Sequence, residues 1–374
     1  MKLTWCILSL LMFAACAPRP QLLLSDQTPL EKKVIRPSKL PKNIVFMVGD
    51  GMGISQITAA MYQNGNRLNL EQFTTVGIHK TYSADDLVTD SAAGATAFSC
   101  GRKTYNKAIG VGVDSLPCKT ILERAEEEGL ATGLVVTSTI VHATPAAFVA
   151  HVKDRNAYEE IATYFPGSGV DFFVGGGEKY FNQRQKDSRN IVAELETIGY
   201  QIFDSAHGDI NSAAPSGKKF GYFTAEDDPS KARDGRDYLA PAVAKALNFL
   251  RKQSDKGFFL LVEGSQIDWG GHDNDADYII SETLDFDKAI GEALNFAKAD
   301  GHTLVIVTAD HETGGFAINP GSTHEEITPG FSTKKHTATH IPVFAFGPGA
   351  EIFGGIYENT AIHAKMMRVL RLDD

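Results

Sequence analysis

The stretch NIVFMVGDGMG, residues 43–53, joins five consecutive apolar side chains, Ile44–Val48, to a turn of three glycines around Asp50 and Met52. A short unbroken apolar run bounded by glycine fits a strand buried on both faces. The pattern recurs at Gly133–Thr137, Phe258–Val262, Leu304–Thr308 and Pro342–Phe346, each closely followed by Gly, Asp or Ser. Between these runs lie stretches with helical spacing. Residues 119–128 stop at Gly129; 239–252 is similar; and 277–299 carries Ile279, Ile280, Leu284, Ile290 and Leu294 on one side. Ile362, Met366 and Val369 form a last stripe, with Asn359 or Thr360 as its cap. This alternation predicts an α/β fold, a mostly parallel central sheet with helices on both faces.

In such sheets ligands bind beyond the carboxyl ends of the strands. Asp50 follows the first run; His142, Thr144 and Arg155 follow the second; Glu263, Asp268, Trp269 and His272 the third; Asp310 and His311 the fourth. Neighbours such as Asp310 and His311 face opposite sides of a regular strand. They reach one ion only where the chain turns, as Gly314-Gly315 implies. Asp268 and His272, four apart, share one side of a helical turn, and His336 offers a further nitrogen. Imidazole with carboxylate suits zinc. The oxygen set of Asp50, Thr144 and Glu263 suits magnesium. Carboxylates crowded in a buried crevice repel and take up protons unless cations are present.

Ser91 lies in VTDSAAGATAFSCG, residues 88–101. Taken alone, Asp-Ser before a run of small residues is an ordinary helix N-cap. Among so many candidate ligands it also reads as a nucleophile, since a helix N-terminus favours a nearby phosphate.

The chain has 374 residues, 43% of them hydrophobic, and a net charge of −10 without a basic block, which argues against nucleic acid as partner. Residues 1–16 read as a leader: Lys2 is followed by Ile7–Phe13, too short to span a bilayer. Phe13-Ala14-Ala15-Cys16 resembles a lipobox, with lipidation on Cys16; an ordinary cut after Ala17 is the rival, disfavoured by Pro18. The implied location is outside the cytoplasm, periplasmic or as a membrane-anchored lipoprotein. Residues 17–41, with five prolines, read as a tether, and 42–374 as the catalytic domain, with cap insertions expected at about 153–236 and 316–335. An oxidising compartment permits a bridge between Cys100 and Cys118 but does not require one.

Six motifs in order, VGDGMG, VTDSAAGATAFSCG, HATPAAFVAHVKDR, VEGSQIDWGGHDND, VTADHETGG and HTATHIPVFAFGPG, resemble the alkaline phosphatases, in particular the compact bacterial members, from about Asn43 to Leu372. The resemblance implies hydrolysis of phosphate monoesters of broad range through a phosphoserine on Ser91, two zinc ions and one magnesium per chain, and a homodimer. It implies that Asp50, Asp310 and His311 hold the zinc beside Ser91, and that Asp268, His272 and His336 hold the other. It places Asp50, Thr144 and Glu263 on magnesium, Arg155 on the phosphate, and Asp90 as the group orienting that arginine. Counting back from Gly347-Pro348 puts the ligand on His336 rather than His340. His142 and Trp269 stand where the family varies; His142 is expected near the magnesium through water, and Trp269 at the substrate mouth.

Phosphate monoesters need accelerations on the order of 10²¹-fold. General acid–base catalysis contributes about 10²–10⁴-fold, so a two-metal clamp is the better match. The rivals are phosphodiesterases, sulfatases and phosphoglycerate mutases of the same superfamily, or a lipoprotein that binds phosphate without turnover. No Cys- or Ser-x-Pro-x-Arg setting of the sulfatase kind is present.

Overall fold

The computed structural model describes residues 37–217 and 219–372; the leader, Cys16 and most of the tether lie outside them. In chain order the strands are β1 Asn43–Gly49, β2 Thr75–Lys80, β3 Ala131–Thr139, β4 Phe172–Gly176, β5 Tyr200–Asp204, β6 Lys219–Phe223, β7 Phe258–Gly264 and β8 Thr303–Thr308. Then come β9 Glu312–Thr313, β10 Phe316–Ile318, β11 Pro329–Phe331, β12 His336–Thr337, β13 Ile341–Phe346 and β14 Gly355–Glu358. Ten of them form one sheet in the order β14-β2-β13-β8-β1-β7-β3-β4-β6-β5.

Strand β1 lies in the middle, parallel to β7 on one side and β8 on the other. Its side chains alternate between two cores. Ile44, Phe46 and Val48 enter one, beneath the helices Ser91–Cys100, Ile121–Glu127, Ala143–Val149 and Thr360–Leu370. Val45 and Met47 enter the other, beneath Ile54–Gln63, Leu239–Leu250 and Ala276–Asp300. Burial on both faces is why these strands are apolar throughout rather than alternating.

The expected run Pro342–Phe346 is a strand, but β13 pairs antiparallel with both β8 and β2. The chain from β8 to β13 passes through two short strand pairs, β9 with β12 and β10 with β11, without a crossover helix. Such a connection returns the chain antiparallel, and brings His336, just before β13, to the same rim as the ends of the parallel strands.

Residues 153–236, expected as a cap, contain β4, β5 and β6 and extend the sheet at one edge. Residues 316–335 contain the β10–β11 hairpin, whose far end touches the helix Ile54–Gln63 through Gln63 Nε2, which donates to Glu325 O at 2.9 Å. Thr120 and Glu123 form a reciprocal capping box at the start of Ile121–Glu127. Asn359 precedes the last helix but does not cap it with its side chain; its Nδ2 donates to Thr81 O at 3.4 Å instead.

Cys100 and Cys118 are joined, tying the end of the Ser91 helix to the segment that enters Ile121–Glu127, across 18 residues. Closing a loop of this size stabilises by about 3 kcal/mol. The C100A/C118A double variant is therefore expected to lose roughly that amount in urea denaturation, and the wild type to lose it on reduction. Equal midpoints with and without reductant contradict the bridge.

Candidate active site

Asp50, Glu263, Asp310 and His311 meet at the carboxyl rim because β1, β7 and β8 are neighbours. Asp50 N donates to Gly264 O at 3.2 Å, and Val48 is paired with Glu263. Gly51 has φ +71°, and a Cβ there would lie 2.7 Å from Asp268 Cα and 2.8 Å from Thr313 Oγ1. Only glycine lets this turn approach both. Asp310 is anchored by Gly51 N and His311 N, which donate to its Oδ1 at 3.2 and 2.9 Å.

Asp90, not Ser91, caps the helix Ser91–Cys100: its Oδ1 accepts from Ala93 N at 3.0 Å. Ser91 is thereby the first helical residue, with its Oγ free of capping and 3.4 Å from His311 Nε2. Its helix sits close because Gly94 faces Asp310, where a Cβ would lie 3.0 Å from Asp310 Cβ.

His311 Nε2 lies 3.2 Å from Asp310 Oδ2 and 3.5 Å from Asp50 Oδ1. His272 Nε2 lies 3.3 Å from Asp268 Oδ2, and His336 Nε2 lies 3.5 Å from Asp268 Oδ1. The other ring nitrogens are held by backbone: His272 Nδ1 donates to Lys334 O at 2.7 Å and His336 Nδ1 to Thr89 O at 2.9 Å. That leaves two Nε2 atoms 3.2 Å apart and turned to Asp268, the arrangement in which a ligand histidine is oriented through its second nitrogen. Among the described residues three groups bring ligand atoms within 4.8 Å of one another: Asp268, His272 and His336; Asp50, Asp268 and His311; Asp50, His142 and Glu263. Asp50 and Asp268 each belong to two. His340 is exposed and in none of them.

A ring nitrogen of His142 lies with the carboxylates of Asp50 and Glu263 in one of these groups. Thr144 Oγ1 is buried and makes no hydrogen bond. Arg155 spans two partners: NH1 donates to Asp90 Oδ2 and NH2 to His142 Nε2, both at 3.1 Å. An arginine has only donors, so His142 accepts and is neutral. Burial and the Arg155 charge hold its pKa down to about 3. Trp269 is half-buried, its ring 6.2 Å from that of His142.

Thr313 is a residue that sequence reading passed over. Its Oγ1 donates to Asp268 Oδ1 and lies 3.3 Å from His311 Nδ1. Two residues after His311, it follows the period of a strand onto the same face.

The acids are in conflict. Burial, then repulsion from Asp310, Asp268 and Glu263, raises Asp50 well above the carboxylate range. Burial pushes Glu263 up to about 7, and burial with the nearby Asp268 pushes Asp310 up to about 6. Asp268 goes the other way: against the effect of burial, its bond to His272 and the charges of His336 and His311 hold it low. Both oxygens of Asp50, Asp310 Oδ2 and Glu263 Oε1 are buried without a hydrogen-bond partner. Unpaired buried carboxylates are costly, and a mixed imidazole and carboxylate set is what zinc takes, with an oxygen-rich set for magnesium. The residues fit these ions.

The sequence model of the alkaline phosphatase family matches residues 41–328. The chain belongs to the alkaline phosphatase family. It is 33% identical to alkaline phosphatase 3 of Bacillus subtilis, over 88% of this chain and 89% of that one. The solved alkaline phosphatase of the Antarctic bacterium TAB5 is 49% identical, with a TM-score of 0.84 over 90% of this chain and 99% of that one. A histidine-to-aspartate variant of the TAB5 enzyme, 48% identical with a TM-score of 0.84 over the same shares, was solved with magnesium bound in its M3 site. The chain is thus an alkaline phosphatase, a phosphomonoesterase on an α/β scaffold. Among the described residues no helix is long and apolar enough to cross a membrane.

The acids make a pH prediction. Carboxyls with raised folded-state pKa keep protons that the unfolded chain has already released, so they cost stability as pH rises from about 4 to about 7. His272, raised to about 9 by its bond to Asp268, adds to the loss above about 6.5. Asp268, held low, contributes stability that is lost only below about 4. His142, held down to about 3, and His79 and His363, held down to about 4, each largely by burial, run the other way and destabilise the fold as pH falls below about 6.5, so the ions are the test: zinc with magnesium is expected to raise the melting temperature of chelator-treated protein more at pH 8 than at pH 5. The same pH slope with and without ions contradicts this.

Proposed function

We propose that this alkaline phosphatase works through a phosphoserine on Ser91, with two zinc ions and one magnesium per chain. Asp50, Asp310 and His311 would hold the zinc beside Ser91, Asp268, His272 and His336 the second, and Asp50, Thr144 and Glu263 the magnesium. When bound, these ions supply the positive charge that makes a hydroxyl acidic and neutralises phosphoryl oxygens.

The protein's own groups set the geometry. Ser91 Oγ gives up its proton to solvent and attacks phosphorus; the bond from phosphorus to the leaving oxygen breaks, and that oxygen takes a proton. Water then attacks the phosphoserine from the vacated side, releasing inorganic phosphate and restoring Ser91. Two in-line displacements give net retention at phosphorus. Arg155 is held by Asp90 and His142 with its planar fork ready for two phosphate oxygens, a shape lysine does not offer. The amino end of the Ser91 helix adds backbone N–H groups and a favourable dipole. Trp269 lines the mouth beside His142.

The observation that carries this reading is the meeting of an uncapped Ser91 Oγ with His311, itself within 3.5 Å of Asp50 and Asp310. Export and a homodimer are read from the leader and the family resemblance; the Cys100–Cys118 bridge supports an oxidising compartment. Lipidation of Cys16 is part of the proposal, and C16S is expected to move activity from the membrane fraction to the soluble one.

Ser91→Ala is expected to retain zinc, to form no acid-stable phosphoprotein and to lose activity by on the order of 10³-fold or more. Wild-type labelling of that variant by a phosphorylated substrate contradicts the assignment. Arg155→Lys is expected to raise KM and weaken inhibition by inorganic phosphate by about 10-fold or more, read from steady-state kinetics.

A further inference from the structure

Glu312 follows His311 directly, is 5% exposed, and has no part in the groups of candidate ligands. Its carboxylate accepts four hydrogen bonds. Oε1 takes Gln56 Nε2 at 2.7 Å and Phe316 N at 3.0 Å; Oε2 takes Gly315 N at 3.2 Å and Thr337 Oγ1. These donors come from the helix Ile54–Gln63, from the turn after β9, from the start of β10 and from β12. Gln56 Nε2 also donates to Thr313 O at 2.9 Å, binding the same turn a second time. Space for the side chain is reserved by Gly53, where a Cβ would lie 2.4 Å from Glu312 Cγ. The last glycine of the opening VGDGMG motif thus serves this carboxylate.

Strands β9 and β12 pair over only two residues each, Glu312 with Thr337 and Thr313 with His336. A pairing this short does not hold itself. Yet His311 lies at one end of it and His336 within it, and their rings stack with centroids 3.6 Å apart. Glu312 joins the two strands through Thr337 and moors both to the helix through Gln56.

We propose that Glu312 is a positioning residue that sets the spacing between His311 and His336 and so tunes zinc affinity without touching the metal. The inference rests on the zinc reading above. The test uses the full chain stripped of metal, with zinc affinity measured by competition against a chromophoric chelator, and circular dichroism and melting of the same metal-free samples as the folding control. E312Q keeps the shape but turns one acceptor into a donor. T337V removes only the link to β12. Zinc binding is expected to weaken by about 10- to 100-fold in E312Q and by a smaller factor in T337V, with metal-free spectra and melting temperatures close to wild type. Wild-type zinc affinity in folded E312Q overturns the proposal, as does a lowered metal-free melting temperature with unchanged zinc affinity. Should E312Q fail to fold, T337V decides: weakened zinc binding supports the proposal and wild-type binding overturns it. A wild-type chain that takes up no zinc overturns the metal reading and this inference together.

Discussion

Four carboxylates, Asp50, Glu263, Asp268 and Asp310, are buried within one crevice at the end of a parallel sheet. Like charges at that depth cannot all remain ionised unless positive charge is supplied. His272 and His336 answer for Asp268, and the Arg155 charge favours the ionised form of Asp50. What is left, on Asp50, Asp310 and Glu263, matches the demand of divalent ions. The rest of the molecule makes sense as a scaffold for this unfavourable arrangement. A ten-stranded sheet buried on both faces holds the strand ends in register, and the Ser91 helix is pressed against Asp310 through a glycine.

Ser91 and the charged groups are placed by separate devices. Asp90 does double duty, capping the helix with one oxygen and, with the other, accepting from Arg155 and from Lys107 N at 3.0 Å. The first helical residue and the Arg155 guanidinium are thus fixed to a common point. His142 closes the frame from the other side: as a neutral acceptor it holds Arg155, while its ring also borders the Asp50–Glu263 oxygens. A change at His142 therefore reaches both the oxygen-rich group and the arginine.

The centre of the fold was legible because burial on both faces writes an unmistakable signature, as in Ile44–Val48 and Phe258–Val262. The edges were not. In β2, Val76 and Ile78 are exposed while Gly77 and His79 are buried, so its apolar residues do not mark its core face. Strands β4, β5 and β6 lie in a stretch where glycine and aromatic residues obscure any regular period. The direction of β13 depends on the length of a return path, which local composition does not record. In the site, residue types that bind ions stood out after each strand, so Asp50, Asp268, His272, Asp310 and His311 could be picked by position alone. Contributions through backbone carbonyls, such as Thr89 to His336 and Lys334 to His272, carry no side-chain signal. Thr313 and Glu312 were hidden in plain view, their hydroxyl and carboxylate being common surface groups until the turn buries them.

The central claim is that the crowded acids are a cation cage shared through Asp50 and Asp268. Diffraction from crystals of the purified enzyme, collected above and below the zinc absorption edge, tests it most directly. Two zinc peaks are predicted, one among Asp50, Asp310, His311 and Ser91 and one among Asp268, His272 and His336, with a lighter ion beside Glu263. Density showing these side chains closed on one another, with no anomalous peak in crystals grown from zinc, would contradict the account.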